Sequence, residues 1–243
     1  MASHAIFEEL SLERYNIVRR IGGGTHGSAY LVNSQKDVGS QYVLKKIFLQ
    51  NATELERNLA EREVQLLRRL SHPFILGYIE SFTYRNHLCI VTEYCEAGEL
   101  YTYLKARKKL LPEAQVLEWF TQIALAVKKV HDNKILHRDL KTQNVFLTKS
   151  GDVKLGDFGI ARTLRDPAEM AMTIVGTPYY MSPEIIEGRP YDFKSDIWSL
   201  GCILYEMATL QHPFQASDMS GLVTKVLRGQ IVPLPDHYSE GLR

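Results

Sequence analysis

One eight-residue segment constrains this chain more than any other feature of its sequence. It reads HRDLKTQN over residues 137–144. Within it stand a carboxylate at Asp139, an ammonium at Lys141 and an amide at Asn144. The apolar pair before it, residues 135–136, predicts a short buried strand that leads into a polar turn. Any one of these side chains alone is typical of a solvated loop, but the combination indicates a site that carries out chemistry.

A second polar segment follows later in the chain. It reads KLGDFG over residues 154–159 and again sets a carboxylate, Asp157, after an apolar run. One side-chain carboxylate can take a proton from a hydroxyl nucleophile, while Asn144 and Asp157 supply the hard oxygen ligands that Mg²⁺ prefers. Lys141 can offset negative charge on a phosphoryl group. Two such motifs at this spacing are hard to explain as chance.

A glycine run near the start of the chain fits phosphate binding. Residues 22–27 read GGGTHG, a G-x-G-x-x-G match that alone also marks dinucleotide-binding oxidoreductases. In those folds the third glycine opens a helix. Here Gly27 leads into a strand-like run, residues 28–32, so the glycines are predicted to lie in a hairpin whose backbone N–H groups face phosphates. The oxidoreductase alternative rests on this run alone, and the strand after Gly27 argues against it.

Strand-like segments surround a pair of lysines. A strand is predicted over residues 41–48, and it contains Lys45 and Lys46. Two solvated surface lysines are one interpretation of the pair. Because side chains alternate along a strand, the two lysines should lie on opposite faces. Two more strands are predicted at residues 75–82 and 87–92.

A helix is predicted between these strands, and it has a carboxylate on its apolar side. Thr53 and Glu56 form a capping-box pattern, so the helix should begin near Thr53. Glu63 falls on the apolar stripe, and a carboxylate that faces a core needs a cationic partner. The stripe consists of Leu55, Leu59, Leu66 and Leu70.

Two further helices are predicted on either side of the polar segments. The later helix begins at Ser195, which is taken as its N-cap. It is apolar nearly all round as far as Met207, so it should be buried. The earlier helix spans residues 112–131. Its apolar periodicity lies in Leu117, Phe120, Ile123, Ala124 and Val127.

Charge and cysteine content limit the partners and the compartment. The formal net charge is +1, so no bulk charge favours nucleic acid or an anionic membrane surface. No apolar run approaches the roughly 20 residues that span a bilayer. Cys89, Cys95 and Cys202 are odd in number and scattered, which is typical of reduced thiols in the cytoplasm or nucleus. We therefore expect neither a nucleic-acid partner nor membrane attachment.

The motifs together resemble those of the protein kinases, whose catalytic loop is H-R-D-L-x-x-x-N and whose magnesium loop is D-F-G. Residues 137–148 and 155–162 are similar to the NIMA-related (Nek) group of serine/threonine kinases. The segments GTPYYMSPE, residues 176–184, and KSDIWSLGC, residues 194–202, point the same way. The resemblance covers about residues 15–242, nearly the whole chain.

The resemblance implies an α+β fold of two lobes with ATP between them. Residues 15–94 would form an N-lobe with an antiparallel sheet and one helix, and residues 95–243 a mainly helical C-lobe. Residues 1–14 would be an N-terminal extension. Further helices would normally follow Arg243, so the C-lobe is expected to be C-terminally incomplete.

The implied reaction moves the γ-phosphoryl group of ATP to a serine or threonine hydroxyl of a protein substrate, with Mg²⁺ as the metal. Asp139 would orient and deprotonate the hydroxyl. Lys141 would offset charge on the transferring group. Asn144 and Asp157 would hold the metal.

The nucleotide contacts are also carried over from the resemblance. Lys45 would hold the α- and β-phosphates, and Glu63 would position Lys45. The remaining contacts would come from Ile21, Gly22, Gly24, Gly27, Ala29, Thr92 and the backbone of Glu93 and Cys95.

Regulation is implied by a threonine in the loop after the magnesium motif. Thr173 would be an activating phosphosite, modified by an upstream kinase or by autophosphorylation. Its phosphate would pair with Arg138 through charge-assisted hydrogen bonds. Thr177 would instead pack near Asp139 and Lys141 and shape the acceptor site.

The expected incompleteness leaves one alternative function open. A missing helix would normally supply an arginine to pair with Glu184, so we expect residues 1–243 to be less stable and less active than a longer version. The alternative is a pseudokinase-like nucleotide-binding scaffold. Roles in cell-cycle, ciliary or microtubule-linked signalling follow from the resemblance alone.

Overall fold

Two compact units divide the described part of the chain, one ending at Cys95 and the other beginning at Glu96. The boundary predicted from the sequence lies one residue earlier, between Tyr94 and Cys95. The structure is a computed structural model, and the residues that it describes are 14–24, 27–49, 52–156 and 179–243.

The first unit is built on a five-stranded antiparallel sheet, in the order β1-β2-β3-β5-β4, and on the helix α1. The glycine run lies at the end of β1 and the start of β2, so the predicted hairpin is confirmed. The predicted strand over residues 75–82 begins only at Tyr78. The elements are β1 (Tyr15–Gly24), β2 (Gly27–Ser34), β3 (Gln41–Phe48), α1 (Glu54–Arg69), β4 (Tyr78–Tyr84) and β5 (His87–Glu93).

The two faces of β3 bury different sets of side chains. Ile47 packs with residues of α1 and β5, including Val64 and Ile90, on one face of the sheet. Leu44 packs on the other face with Val32 of β2, and both are fully buried. Alternation along β3 therefore gives the unit one apolar layer between sheet and helix and a second on the opposite side of the sheet.

The core-facing side of α1 departs from the predicted leucine stripe at one position. Leu70, just after the helix, is buried as predicted, and the side chains of Leu59 and Leu66 lie outside the described residues. Leu55 is 70% exposed, so its assignment to the core was wrong. Ala60 and Val64 are buried instead, and Leu67 packs against the same cluster. These residues recur at helical spacing, so they lie on one face of the helix.

The second unit is mainly helical in its described part. Its longest helices, α3 and α5, supply about half of its buried side chains. No helix in the described ranges is long and apolar enough to cross a membrane. The elements are α2 (Leu100–Ala106), α3 (Glu113–Asp132), a 3₁₀ turn (Thr142–Asn144), β6 (Val145–Leu147), β7 (Val153–Leu155), α4 (Pro183–Ile186), α5 (Phe193–Thr209) and α6 (Met219–Arg228).

The predicted helix over residues 112–131 matches α3, with one error in its buried face. Leu117 is 43% exposed, while its neighbour Val116 is fully buried. Ile123 and Val127 are buried as predicted. The antiparallel sheet with one helix, followed by a mainly helical part, agrees with the predicted α+β architecture.

The N-cap of α5 lies three residues before the predicted one, Ser195. Asp192 is the N-cap, and its side chain accepts hydrogen bonds from the backbone N–H groups of Lys194 and Ser195. Ser195 is instead the third helical residue, and its hydroxyl accepts from the backbone N–H of Asp192. The two residues form a reciprocal capping box, so Ser195 belongs to the cap but not at the predicted position.

We expect Asp192→Ala to lower the free energy of unfolding by about 1 kcal/mol, the usual effect of removing an N-cap acceptor. Chemical denaturation measures this change. Asp236→Ala serves as the control, because Asp236 is an exposed aspartate that pairs with Arg243 at the surface and caps no helix in the described part of the chain. Equal stability of the two variants would contradict the capping assignment.

Candidate active site

The catalytic-loop segment is not preceded by the predicted strand. Residues 135–140 have no regular secondary structure, and residues 135–136 are half-buried. The strand β6 follows the loop instead, after the 3₁₀ turn that contains Asn144. Contacts from distant parts of the chain therefore have to fix the loop.

Asp196, on the first turn of α5, makes those contacts. Its carboxylate is fully buried. Oδ2 accepts from the backbone N–H of His137 at 2.9 Å, and Oδ1 accepts from that of Arg138 at 3.1 Å. Tyr191 donates its hydroxyl to Oδ1 at 2.5 Å, and His131 Nε2 lies 2.7 Å from Oδ2. A single side chain thus anchors the start of the catalytic loop.

Asp196 also stabilises an unusual backbone conformation. Arg138 has φ of +66°, in the left-handed region that non-glycine residues rarely occupy. Such a conformation persists only when surrounding contacts hold it, and the Arg138 N–H to Asp196 bond is one of them. No role is predicted for Asp196 from the sequence, although it stands in the quoted segment of residues 194–202. The available signal was a carboxylate within a helix predicted to be buried, which requires hydrogen-bond donors.

The three predicted side chains of the loop lie together in the structure. Lys141 Nζ is 2.8 Å from Oδ2 of Asp139. Asn144 Nδ2 donates to the same oxygen at 2.9 Å and to the backbone carbonyl of Asp139 at 2.7 Å. The Asp139 carboxylate is therefore oriented from two sides, by an ammonium and by an amide.

The magnesium motif begins beside this group. The backbone N–H of Gly156 donates to the carbonyl of Asn144 at 2.9 Å, and His137 Nε2 lies 3.1 Å from the carbonyl of Gly156. His137 is fully buried. Asp157 follows Gly156 directly but lies outside the described residues. Both donors of the Asn144 amide are used on Asp139, which leaves its oxygen as the atom for a cation such as Mg²⁺.

The lysine pair of β3 is separated as strand alternation predicts. Lys45 is paired with Ala29 on β2 and Ile90 on β5, and it lies on the same side of β3 as Ile47, which faces α1. Lys46 lies on the other side, with Nζ 5.5 Å from the ring centre of Tyr30. The backbone of residue 63 is in α1, but the side chain of Glu63 is outside the described part. Its pairing with Lys45 stays a prediction.

The glycine hairpin brings two backbone segments unusually close. Gly24 pairs with Gly27 across the turn, and residues 25–26 lie outside the described residues. A Cβ at Gly27 would lie 2.1 Å from the carbonyl oxygen of Lys46, so only glycine is accommodated there. Gly22 lies opposite Ala29, and a Cβ added at Gly22 would lie 3.7 Å from the Cβ of Ala29.

The residues predicted to contact adenine lie at the end of β5. Thr92 pairs with Val43 on β3, and its hydroxyl donates to the carbonyl of Glu93 at 3.3 Å. The Glu93 backbone N–H donates to the carbonyl of Gly77, and its carboxylate accepts from the Gly77 N–H at 2.5 Å. Cys95 is buried. These contacts fix the backbone that the resemblance assigns to adenine.

The segment around Glu184, which follows the loop after the magnesium motif, contacts α5. Ser195 donates its hydroxyl to Oε1 of Glu184 at 2.5 Å. Burial acts to raise the pKa of the Glu184 carboxyl, but hydrogen bonds, chiefly from Ser195, outweigh it and leave the pKa below its usual value. Thr173 and Thr177 lie outside the described residues, so their assigned roles stay predictions.

Comparison with known proteins identifies the family. A model of the protein kinase domain matches residues 15–240. The mouse serine/threonine-protein kinase Nek1 is 51% identical over 96% of this chain and 19% of its own length. Mouse Nek4 is 52% identical over 94% of this chain and 29% of its own length. Human Nek11 is 42% identical over 96% of this chain and 37% of its own length.

These relatives bear on the alternatives left open by the sequence. The chain spans about a fifth to a third of the length of the two mouse proteins. Their names give no support to a pseudokinase scaffold, and the domain match rules against a dinucleotide-binding oxidoreductase. The chain belongs to the protein kinases and, within them, to the NIMA-related (Nek) serine/threonine kinases.

Proposed function

We propose that this chain transfers the γ-phosphoryl group of ATP to serine or threonine hydroxyls of protein substrates. The observation that carries the proposal is the orientation of the Asp139 carboxylate by Lys141 at 2.8 Å and Asn144 at 2.9 Å. A general base must be held within reach of the proton that it removes. This arrangement holds Asp139 in one position before any substrate arrives.

Each loop residue then has a distinct task. Asp139 accepts the proton of the acceptor hydroxyl, and Lys141 offsets negative charge on the transferring phosphoryl group. Mg²⁺, when bound, neutralises charge on the phosphates, and Asn144 with Asp157 would hold it. Asp196 does not touch the reactants and acts by fixing the backbone of the loop.

The residues proposed to bind the nucleotide belong to the first unit. Lys45 would bind the α- and β-phosphates of ATP, and Glu63 would orient Lys45. The glycine hairpin would place backbone N–H groups over the phosphates. Adenine would contact Ile21, Ala29, Thr92 and the backbone of Glu93 and Cys95.

An arrayed serine/threonine peptide library, incubated with the purified chain, γ-labelled ATP and Mg²⁺, tests the proposal. We expect label on a subset of the peptides, and none when the metal is chelated. Transfer to no peptide and to no general protein acceptor would contradict the proposed activity.

We further propose that phosphorylation of Thr173 activates the chain, through an upstream kinase or autophosphorylation. A phosphate adds up to two negative charges, and it would form an ion pair with the guanidinium of Arg138. Thr173→Ala should lower turnover by about tenfold or more, because a charge-assisted contact that orders the loop is lost. Thr163→Ala is the matched control in the same loop. Full activity of Thr173→Ala, with no phosphate at residue 173 by mass spectrometry, would contradict this role.

A further inference from the structure

A buried cluster of hydrogen-bonding side chains lies directly behind the catalytic loop. At its centre is Glu206 on α5, which is 1% exposed. Its Oε2 atom accepts from Thr142 Oγ1 at 3.0 Å and also from the hydroxyl of Tyr180. The Thr142 and Tyr180 hydroxyls are themselves 2.9 Å apart. Because Thr142 follows Lys141 in the chain, this cluster fixes the backbone next to a proposed catalytic side chain.

The other carboxylate oxygen has no donor. Within the part of the chain that the structure describes, Oε1 of Glu206 and Nδ1 of His212 are both buried and neither has a hydrogen-bond partner. The two atoms are 3.7 Å apart, which is too far for a hydrogen bond. A buried carboxylate oxygen without a donor is unfavourable. In the imidazolium form both ring nitrogens carry a proton, so protonation of His212 supplies an Nδ1–H donor that would reach Oε1 after a small movement of either side chain.

The surroundings of His212 disfavour the charged imidazolium form near neutral pH. Burial lowers the pKa of His212 below its usual value; the nearby charge of Glu206 opposes this shift, and that of Lys105 adds to it. The imidazole is held in place by the ring of Tyr179, which stacks on it with centroids 3.9 Å apart. The titratable and charged groups that face the pair are Tyr179, Tyr180, Cys202 and Lys105.

We propose that His212 is a positioning residue whose protonation weakens the hold of Glu206 on Thr142 and Tyr180, and so slows phosphoryl transfer. With neutral His212 carrying its single proton on Nε2, the donors to the carboxylate are the two hydroxyls. With protonated His212, a charge-assisted bond to Oε1 draws the carboxylate away from them, since such bonds are stronger than those from neutral hydroxyls. The inference rests on the proposed function, because its consequence is a change in transfer rate.

The pH dependence of peptide phosphorylation tests this role. We compare kcat of the wild type and of His212→Gln between about pH 5 and pH 8, because the lowered pKa of His212 places its protonation toward the acidic end of the range in which histidine titrates. The ratio of wild-type to variant kcat should fall about three- to tenfold on acidification, the worth of one hydrogen bond, while the KM for ATP responds equally in both. His237→Gln is the matched control. His237 also contacts a tyrosine ring, that of Tyr238, with centroids 3.9 Å apart and planes tilted by 40°, and its variant should keep the wild-type profile.

A double-mutant cycle with Tyr180→Phe separates positioning from general destabilisation. Without the Tyr180 hydroxyl, His212→Gln should have a clearly smaller effect on the pH profile, because one of the two contacts through which Glu206 acts is gone. Additive effects of the two substitutions would overturn the proposal. So would a constant ratio of wild-type to His212→Gln kcat across the pH range.

A nuclear magnetic resonance titration of the wild type makes the test independent of activity. The backbone amide of Thr142 should shift with the same midpoint as the His212 ring, and this shared transition should be diminished in Tyr180→Phe. If the wild type transfers no phosphate at neutral pH, the proposed function fails, and the titration alone then decides the inference. A Thr142 amide that does not respond to the His212 titration would overturn it.

Discussion

Asp139→Asn should lower kcat for peptide phosphorylation by about a thousandfold, which lies within the usual contribution of a positioned general base. The amide keeps an oxygen that can accept from Lys141, but it cannot take a proton from the acceptor hydroxyl. Because Asp139 is partly exposed, at 20% of its side-chain surface, and fills no apolar core, the fold should survive. Thermal melting and the KM for ATP should therefore stay close to those of the wild type.

Asp132→Asn is the matched control for this variant. Asp132 ends α3 and pairs with Lys128 at 2.6 Å, a contact that is largely exposed to solvent. The same chemical change at that position should leave kcat unaltered, since exposed ion pairs contribute little. Near wild-type turnover of highly purified Asp139→Asn would show that Asp139 is not the base.

Asp196→Asn should destabilise the protein and also reduce turnover. The amide would place an NH₂ group against donors that the carboxylate now accepts, including the backbone N–H groups of His137 and Arg138. Leaving buried donors unpaired costs about 3 kcal/mol in total, and the left-handed backbone of Arg138 would lose a stabilising contact. We expect a lower melting temperature and a reduced kcat even at temperatures where the variant is folded.

Tyr191→Phe should have a smaller effect than Asp196→Asn on both stability and turnover. It removes one donor to Asp196 and leaves both backbone contacts in place, so it should cost about 1 kcal/mol and preserve most of the activity. Differential scanning calorimetry and initial rates, measured on the same preparations, separate stability from catalysis. Equal melting temperature and equal turnover of Asp196→Asn and the wild type would contradict the anchoring role.

The features predicted correctly from the sequence are those that depend on neighbours in the chain. Asp139, Lys141 and Asn144 stand within six residues, so a short turn is enough to bring them together. Alternation along β3 likewise separated Lys45 from Lys46 before any packing was known.

The features that were missed depend on contacts between distant segments. Asp196 reaches the backbone of His137 across 59 residues, and no local pattern specifies that contact. Glu206 and Thr142 are 64 residues apart, and both looked like ordinary members of their segments. The spacing of the leucines predicts Leu55 in the core, whereas the buried residues of the helix are Ala60 and Val64, which pack with residues of the sheet.

The cap of α5 shows a third kind of error. The sequence contains both members of the capping box. The pattern predicts Ser195 as the N-cap, whereas Asp192 is the N-cap and Ser195 stands at the third helical position. Either residue is a good N-cap, so composition alone does not choose between them. The backbone conformation of Asp192, which is extended, decides where the helix begins.

The most direct test of the central claim is single-turnover transfer from γ-labelled ATP to a peptide, with enzyme in excess, by the wild type and a matched pair of lysine variants. Lys45→Met removes the side chain proposed to hold the phosphates, while Lys46→Met makes the same change on the opposite face of β3, where Lys46 lies over the ring of Tyr30. We predict label on the peptide with the wild type and with Lys46→Met, and a loss of about a hundredfold or more with Lys45→Met. No transfer by the folded wild type, or equal transfer by the two variants, would contradict the account.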